Sequence, residues 1–517
     1  MKKDYFILFI LIFYLFFQFS TLDYGFKINN FSYFKNTSIN ETFIKDFTEK
    51  KKIKNKENVK NENNKWEYRY KLYSVNADEM IPIMSLSKIN IVKKEFDPQV
   101  YKYGGAFIYP LGFYYYFLTK INFLENINSQ SLISNENLID DIYFNGRLFI
   151  LLSFIFSAFV LYKCLNLITK KNFSLLLTTI YLFVPSSIMY SQIIKPNWYA
   201  LLWFNIAIYF ILKYFIKKNN KKNLLIASIF FGLTMGSSIL YAPAIFLIFV
   251  LIFNYSKKNT NNYFFFIIFA TLSIFFITNP YILLNLGNFI NESSGEYTWV
   301  LKGIKLNNII PFFYNSFIQG FGFIITLSLI YYLLKKPKKK FERNVSLFIF
   351  LLILFGAIIS SFEIWHIQFR YIPYILPISL IFLGYYIKNE KFLILILIGT
   401  FLQSLPLKLA YYDENNLNYS TRINSANWIN ENIIKKNKSI CKKEFSPFDF
   451  PPINFNKVLI KKKCNYEIHV LRQPKKINIY KQRRLVKKFE PRYQFSYIPL
   501  VFSHINPLII ILENSYE

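Results

Sequence analysis

The stretch Ser174–Gln192, SLLLTTIYLFVPSSIMYSQ, decides the fold class, because it is as long as a membrane-spanning helix and carries no charged residue. Hydrophobic residues make up 53% of the chain and aromatic residues 20%, more apolar surface than a soluble domain can bury. The sequence therefore predicts an all-α polytopic membrane protein. Further stretches of this kind are Trp198–Phe215, Leu224–Tyr241, Tyr263–Asn279, Val345–Ser361 and Phe392–Leu407.

The formal net charge of +32 would also fit nucleic-acid binding, but many lysines sit in short loops between apolar stretches. That placement is typical of cytoplasmic loops, so we expect no nucleic-acid partner. Lys2 and Lys3 precede the apolar run Tyr5–Phe19, which lacks a small-residue cleavage site and is interpreted as an uncleaved first span. The basic groups assigned to the cytoplasm are Lys170 and Lys171, Lys213–Lys222, Lys257 and Lys258, Lys335–Lys340, and Lys388 and Lys391.

The aromatic stretch Gly104–Leu118 breaks the alternation of loop charge. If it crossed the membrane, the acidic loop Phe123–Asp141 would be cytoplasmic and each later helix would invert. It is therefore predicted to lie in the outer interface. The count becomes about 11 spans, with the N-terminus inside and the C-terminus outside. The alternative is that one weak helix elsewhere is miscounted.

Two polar regions complete the predicted organisation. Residues 1–410 form a transmembrane domain with an exported loop, 22–103, whose part Lys50–Lys65 is expected to be mobile. Residues 411–517 form a small exported α/β domain. Its predicted elements are a helix at Asn424–Ile434 with Ser425 as a possible N-cap, and strands at Lys457–Lys461, Tyr466–Leu471 and Leu508–Leu512.

Cysteines are few. Cys441 and Cys464 could form a disulfide if the C-terminal region is exported, whereas Cys164 lies at a predicted helix end. No Cys/His spacing indicates a structural zinc site.

Carboxylates are scarce, so those on the predicted outer face stand out. Asp78 and Glu79 lie in the first exported loop, and Asp97 follows just before the interfacial helix. A carboxylate near the membrane surface is suited to act as a general base. Paired carboxylates such as Asp78 and Asp97 could instead hold a divalent cation, so no cofactor is assigned with certainty. The plain alternative is that Asp78 and Glu79 cap a helix or are solvated.

Cations at the predicted outer helix ends form a complementary set. They are suited to hold the phosphate of a lipid carrier, since Arg binds phosphate through two hydrogen bonds. Snorkelling to lipid headgroups would explain any single one. The set is Arg147, Lys195, His366 and Arg370.

Several motifs together resemble the GT-C glycosyltransferases, in particular the dolichyl-phosphate-mannose protein mannosyltransferases and their bacterial relatives, which include lipid A aminoarabinose transferases. The chain departs from the family at Tyr103-Gly104-Gly105, where a His/Lys-Pro-Pro motif is usual. The motifs are Asp78-Glu79, Asp97-Pro98, Tyr103–Pro110, Asn145–Phe149, Phe231–Gly236, Thr278–Tyr281, Arg370–Pro377 and Ala426–Glu431.

This resemblance implies an inverting glycosyltransferase that takes a hexosyl or pentosyl group from a polyprenyl-phosphate carrier. Its acceptor would be a lipid, glycan or protein on the outer face of the plasma membrane. Asp78 would act as general base, with Glu79 orienting it or the sugar and Asp97 as a second acidic site. Lys102, Arg147 and Arg370 would hold the carrier phosphate, with Tyr103 and Tyr371 lining the substrate site.

Other functions stay open. An O-antigen ligase or polymerase also acts on lipid-linked glycans, but such chains usually rely on a late basic loop. A transporter would show inverted repeats and charged residues in the middle of its spans. The predicted spans carry almost no charge at mid-membrane. A structural scaffold would bind through its basic tail, whose Lys461–Lys463 and Arg483–Lys488 are either solvated or contact anionic lipids or glycans.

Overall fold

The computed structural model is mostly helical, with one small sheet near the C-terminus. His366 and the segment Lys50–Lys65 lie outside the described residues. The structure describes residues 4–25, 66–67, 69–76, 78–125, 127, 135, 137–216, 220–255, 261–301, 305–335, 340–362, 369–441, 445–471, 483–493 and 505–514.

The helices begin and end close to the apolar stretches of the sequence. In chain order they are α1 Asp4–Phe19, α2 Met80–Leu86, α3 Gly105–Lys120, α4 Leu138–Asn166, α5 Lys171–Phe183, α6 Pro185–Tyr190, α7 Pro196–Ile216, α8 Lys221–Ser237, α9 Ala242–Tyr255, α10 Asn261–Thr278, α11 Pro280–Leu284, α12 Leu286–Leu301, α13 Ile309–Phe312, α14 Phe323–Leu334, α15 Lys340–Phe362, α16 Ile375–Tyr386, α17 Glu390–Asn415 and α18 Thr421–Ile429. Short 3₁₀ turns lie at Ile239–Tyr241, Leu306–Asn308 and Phe369–Tyr371, and π-helices at Phe313–Phe321 and Asn430–Ile434.

Four helices in the described part of the chain are long and apolar enough to cross a membrane: α4, α7, α17 and the Arg343–Phe362 part of α15. A fifth crossing results if Leu306–Phe321 and α14, which meet at a bend of 112°, count as one broken span. Shorter apolar helices lie at Tyr5–Phe19, Ile239–Phe253, Phe264–Thr278 and Ile375–Tyr386. The expected number of about 11 spans stays a prediction.

Local residue choices divide two stretches that the sequence presents as continuous. Pro185 disfavours a helical Val184, which is extended at φ −63° and ψ 146°, so the opening stretch forms two helices, α5 and α6. In the stretch Leu224–Tyr241 the α-helix ends at Ser237, and a 3₁₀ turn at Ile239–Tyr241 follows the extended Ser238. At the bend before α14, Gly322 has a φ of 113°, a conformation that glycine adopts without steric cost.

Buried polar side chains join the apolar helices. The Asn205 amide donates to the Ser157 hydroxyl over 2.9 Å, and the hydroxyls of Ser157 and Tyr181 are 2.9 Å apart. This network links α4, α5 and α7. Interhelical hydrogen bonds of this kind hold helices together where the surroundings supply no hydrophobic driving force.

The chain divides into two compact units. The first comprises Met1–Phe19, Lys88–Tyr114 and Arg147–Leu405, and the second comprises Ser20–Ser87, Tyr115–Gly146 and Pro406–Glu517. The segment around Asp78 and the C-terminal region thus belong to one unit. The domain division at residues 410 and 411 stays a prediction.

The sheet belongs to the second unit. Its strands are β1 Ser439–Cys441, β2 Leu459–Lys461, β3 Tyr466–Leu471, β4 Arg483–Phe489 and β5 Leu508–Asn514. Their order is β2-β1-β3-β5-β4, with β1 parallel to β2 and β3, and β5 antiparallel to β3 and β4.

Three details of the tail differ from expectation. The helix begins earlier, at Thr421, and its N-cap is Ser420 rather than Ser425, since the Ser420 hydroxyl accepts the Ile423 N–H. Ser425 lies inside the helix. The basic segment beginning at Arg483, where no strand was predicted, forms the edge strand β4. Arg483 pairs with Glu467 at 3.1 Å and Arg484 with Glu513 at 2.8 Å.

Cys441 and Cys464 form a disulfide, with their Cα atoms 4.9 Å apart. The bond joins the end of β1 to the turn before β3. Because disulfides persist in oxidising compartments, this bond is relevant to the expectation that the C-terminal region is exported.

Candidate functional site

The turn before α7 has the features of an anion-binding site. Pro196 occupies the first helical position, where its missing N–H costs nothing. Lys195 directly precedes it and is only 6% exposed. The backbone N–H groups at the amino end of a helix attract anions, and a buried lysine at the same place strengthens this attraction.

A second cationic turn is joined to the first. The Asn197 amide donates to the backbone carbonyl of Arg370 over 2.7 Å, and the Tyr241 hydroxyl donates to the carbonyl of Asn197 over 2.7 Å. The Arg370 guanidinium lies 5.1 Å from the centre of the Tyr371 ring and donates to its hydroxyl over 3.2 Å. The structure therefore brings the turns of Lys195 and Arg370 together, with Tyr371 beside them.

Helix α4 is divided between the two units, and its part in the first unit begins at Arg147. The Arg147 side chain is only 2% exposed. Two residues later, the ring of Phe149 stacks on that of Tyr199 with centroids 5.4 Å apart. Phe107 of α3 contacts the same tyrosine at 5.5 Å. Aromatic contacts thus connect the helix that carries Arg147 to the start of α7, close in sequence to Lys195.

The amino end of α3 is packed directly on backbone. The Gly104 N–H donates to the Ser237 carbonyl over 3.2 Å, and the Gly105 N–H donates to Asn279 Oδ1 over 2.7 Å. A Cβ on Gly104 would lie 1.8 Å from the Gly236 carbonyl oxygen. Because these glycines carry no side chain, they admit the ends of α8 and α10.

Lys102 and Tyr103 immediately precede this contact. Lys102 is exposed, and its Nζ lies 6.0 Å from the centre of the half-buried Tyr103 ring. Their predicted roles in holding phosphate and lining the substrate site stay predictions.

Asp97 is held by a network that sequence reasoning missed. Its carboxylate accepts hydrogen bonds from the Tyr101 hydroxyl at 3.1 Å, the Gln99 N–H at 2.9 Å and the Asn285 amide. Glu292 accepts the Tyr101 N–H at 2.7 Å. Burial, and next the charge of Asp97, raise the pKa of Tyr101. Tyr101 thus stays a neutral donor, and Asp97 ties the segment before α3 to α11 and α12.

Asp78 and Glu79 lie in the second unit. Asp78 is half-buried, and its N–H donates to Asn76 Oδ1 over 3.2 Å. Glu79 is fully buried and accepts a hydrogen bond from the Ser74 hydroxyl. Glu79 occupies the N-cap position of α2, but its side chain makes no capping hydrogen bond. Helix capping therefore does not account for this carboxylate.

The segment before Asp78 is anchored in the second unit. The Tyr143 hydroxyl donates to the Leu72 carbonyl over 2.8 Å, and the Tyr70 hydroxyl to the Ser446 carbonyl over 3.0 Å. Trp66 packs edge-on against Phe445 with centroids 4.6 Å apart. Aromatic residues upstream of Asp78 thus belong to the hydrophobic core that covers the C-terminal sheet.

Metal binding finds no support in the described ranges, where no group of three or more His, Cys, Asp or Glu side chains could hold an ion. The residues that sequence reasoning missed are polar side chains at helix ends: Asn197, Asn279 and Asn285. A signal for the first two was present, since each asparagine adjoins a proline at one end of an apolar stretch.

Comparison with known proteins supports one family. Residues 136–281 match the model of the dolichyl-phosphate-mannose-protein mannosyltransferase family, which is of the GT-C type. The matched region contains Arg147, Lys195, Asn197, Gly236 and Asn279. No curated protein matches the chain.

Proposed function

From this match to GT-C glycosyltransferases, we propose that the chain moves a sugar from a polyprenyl-phosphate carrier to an acceptor on the outer face of the plasma membrane. A membrane glycosyltransferase is what the family match itself supports. The acceptor is a lipid, a glycan or a protein. Either a hexose or a pentose would suit the proposal.

The observation that carries the proposal is the junction of two cationic turns. The hydrogen bond between Asn197 and Arg370 holds the turn of Lys195 next to that of Arg370, at the amino end of α7. In the transfer, the bond between C1 of the sugar and the phosphate oxygen breaks, and negative charge grows on the leaving phosphate. Fixed cations and a helix amino end stabilise such charge.

Arg147 and Lys102 complete the proposed phosphate contacts. Arg147 is buried, and arginine is the side chain that binds phosphate through two parallel hydrogen bonds. Lys102 is exposed beside Tyr103, where it would meet the carrier as it enters.

Asp78 is the proposed general base. It takes the proton of the acceptor hydroxyl as the oxygen attacks C1 from the face opposite the phosphate, so the configuration inverts. Glu79 is buried and accepts a hydrogen bond from the Ser74 hydroxyl, which favours an orienting role over contact with the sugar. Asp97 positions the segment before α3 through Asn285 and Tyr101.

The proposed orientation places the C-terminal region outside. The loop charges support this, and so does the disulfide between Cys441 and Cys464, since such bonds persist in oxidising compartments.

The test is transfer of labelled sugar from a panel of polyprenyl-phosphate and polyprenyl-diphosphate sugars to extracted membrane lipid, glycan and protein. We expect transfer by the wild type and a loss of at least about 100-fold in Asp78→Asn, because the base can no longer accept a proton. Glu125→Gln, at an exposed carboxylate, is the charge control. Full activity of Asp78→Asn would refute the role of Asp78. Transfer only from diphosphate-linked donors would favour the ligase or polymerase alternative.

A further inference from the structure

A second candidate binding site lies in the first unit. An open cavity of about 550 Å³ is lined by residues of α14, α16, the turn after α16 and the first turn of α17. Its walls are formed by Tyr331, Tyr332, Tyr386, Ile387, Lys388 and Phe392. Nothing in the proposed transfer reaction uses these residues.

The cavity is remote from the Arg370 turn. At one end of α14 and α16, the rings of Phe321 and Phe369 stack with centroids 5.9 Å apart. At the other end, Tyr332 and Tyr386 stack at 5.6 Å. Each helix has 12 residues, which corresponds to about 18 Å of rise. The cavity therefore lies a helix length away, at the end that the loop charges assign to the cytoplasm.

The chemistry of the cavity suits an amphipathic anion. Lys388 lines it, with Nζ 5.6 Å from the centre of the Tyr385 ring. Lys335 Nζ lies 5.8 Å from the ring centre of Tyr332, which lines the cavity. None of the described lining residues is acidic. Tyrosine hydroxyls add hydrogen-bond donors, while Ile387 and Phe392 supply apolar surface.

The surface beside the cavity indicates a lipid rather than a soluble anion. Tyr331 is 61% exposed and Leu334 82% exposed, and both lie on the last turn of α14. An apolar face next to lysines and tyrosines is typical of the boundary between lipid headgroups and acyl chains. Basic pockets between membrane helices on the cytoplasmic side bind acidic headgroups.

We propose that this cavity binds the headgroup of an anionic phospholipid, with Lys388 and Lys335 at its phosphate and an acyl chain along Tyr331 and Phe392. The site is separate from the proposed transfer reaction and does not depend on it.

The experiment is native mass spectrometry of the full chain, purified with phosphatidylglycerol or with phosphatidylcholine of the same acyl chains. We expect one retained phosphatidylglycerol and little phosphatidylcholine. Lys388→Gln should reduce retention of phosphatidylglycerol by about fivefold, because one lysine contact with the acidic headgroup is lost. Lys391→Gln is the matched control, since this exposed lysine lies three residues away and does not line the cavity.

Equal losses in Lys388→Gln and Lys391→Gln would overturn the proposal, because general surface charge would then explain the retention. Equal retention of the two lipids by the wild type would also overturn it. In a competition arm, displacement of the lipid by millimolar inorganic phosphate would show a site for free phosphate instead. Persistence of the lipid under that treatment supports the proposal.

Discussion

The side-chain amide of Asn197 donates a hydrogen bond of 2.7 Å to the backbone carbonyl of Arg370, although the two residues are 173 positions apart. The bond acts on the backbone and leaves the guanidinium available for its contacts with Tyr371. Asn197 thus fixes where the cationic turn lies without neutralising its charge. In the proposed reaction it is a positioning residue.

Replacing Asn197 with alanine tests this positioning. The partly buried carbonyl of Arg370 would lose its donor, at a cost of about 1–3 kcal/mol. We expect the KM for the polyprenyl-phosphate sugar to rise by about tenfold in Asn197→Ala, which corresponds to 1.4 kcal/mol of lost donor binding. Donor titrations in the transfer assay measure this.

The control is Asn172→Ala, since Asn172 is exposed and makes a longer contact of 3.4 Å to Glu390. An unchanged KM in Asn197→Ala, with the protein folded, would contradict the positioning role. A fall in thermal stability alone would assign the hydrogen bond to folding only.

Gly104 and Gly287 form a natural pair for testing the close packing of α3. A Cβ on Gly104 would overlap the Gly236 carbonyl oxygen, whereas one on Gly287 would meet nothing within 4 Å. Gly104→Ala should lower stability by about 3 kcal/mol, the upper end of the usual cost of overpacking, because the obstacle is backbone and cannot rotate away. Gly287→Ala, in α12, should raise it by up to about 1 kcal/mol.

Thermal unfolding of both variants in the same detergent measures the difference. Equal midpoints would show that α3 does not pack on α8 in solution as it does here.

Tyr70 offers a test of the anchoring upstream of Asp78. Its hydroxyl donates to the carbonyls of Ser446 and Phe450. Tyr70→Phe keeps the ring in the core but leaves both carbonyls without this donor, so we expect a loss of about 1–3 kcal/mol in stability. If the anchoring also places Asp78, kcat should fall several-fold with little change in the KM for the donor.

Tyr412→Phe, at a tyrosine that is 54% exposed, is the control. A normal kcat in a Tyr70→Phe protein of lowered stability would restrict the role of Tyr70 to folding.

Much of the helical pattern follows from the sequence alone, because apolar runs of sufficient length have few other solutions. Strand β3 agrees with its predicted bounds, Tyr466–Leu471, and β5 begins as expected at Leu508. Strand β4 was missed, since a segment with four basic residues is not typical of a strand. Its charge is accommodated because Arg483 and Arg484 pair with glutamates of β3 and β5.

The candidate site was predicted less completely. Charge and position indicated Arg147, Lys195 and Arg370, but not the asparagine that joins two of their turns. Such a hydrogen bond depends on which helix ends meet in space, and a single sequence does not encode that as a local pattern. Trp66 and Tyr70 belong to the core of the C-terminal sheet, and the sequence does not predict this for the same reason.

Glu513 gives the second unit a pH-dependent contribution to its stability. Its carboxylate accepts a hydrogen bond of 2.9 Å from the Tyr466 hydroxyl and pairs with Arg484 at 2.8 Å. The hydrogen bond from Tyr466, followed by the charge of Arg484, holds the pKa of Glu513 below its ordinary value, against the opposing effect of burial. A lowered pKa in the folded state favours folding above the pKa of the unfolded state, and this advantage disappears as the pH falls through the folded pKa.

We therefore expect the wild-type unfolding midpoint to drop between about pH 5 and pH 3 by more than that of Glu513→Gln, which has no carboxylate to titrate. Thermal melts across this range measure the difference, with Glu431→Gln, at an exposed glutamate, as the control. Tyr466→Phe should reduce the dependence in part, because it removes the largest cause of the shift. Parallel pH profiles for the wild type and Glu513→Gln would show that this carboxylate contributes nothing to acid sensitivity.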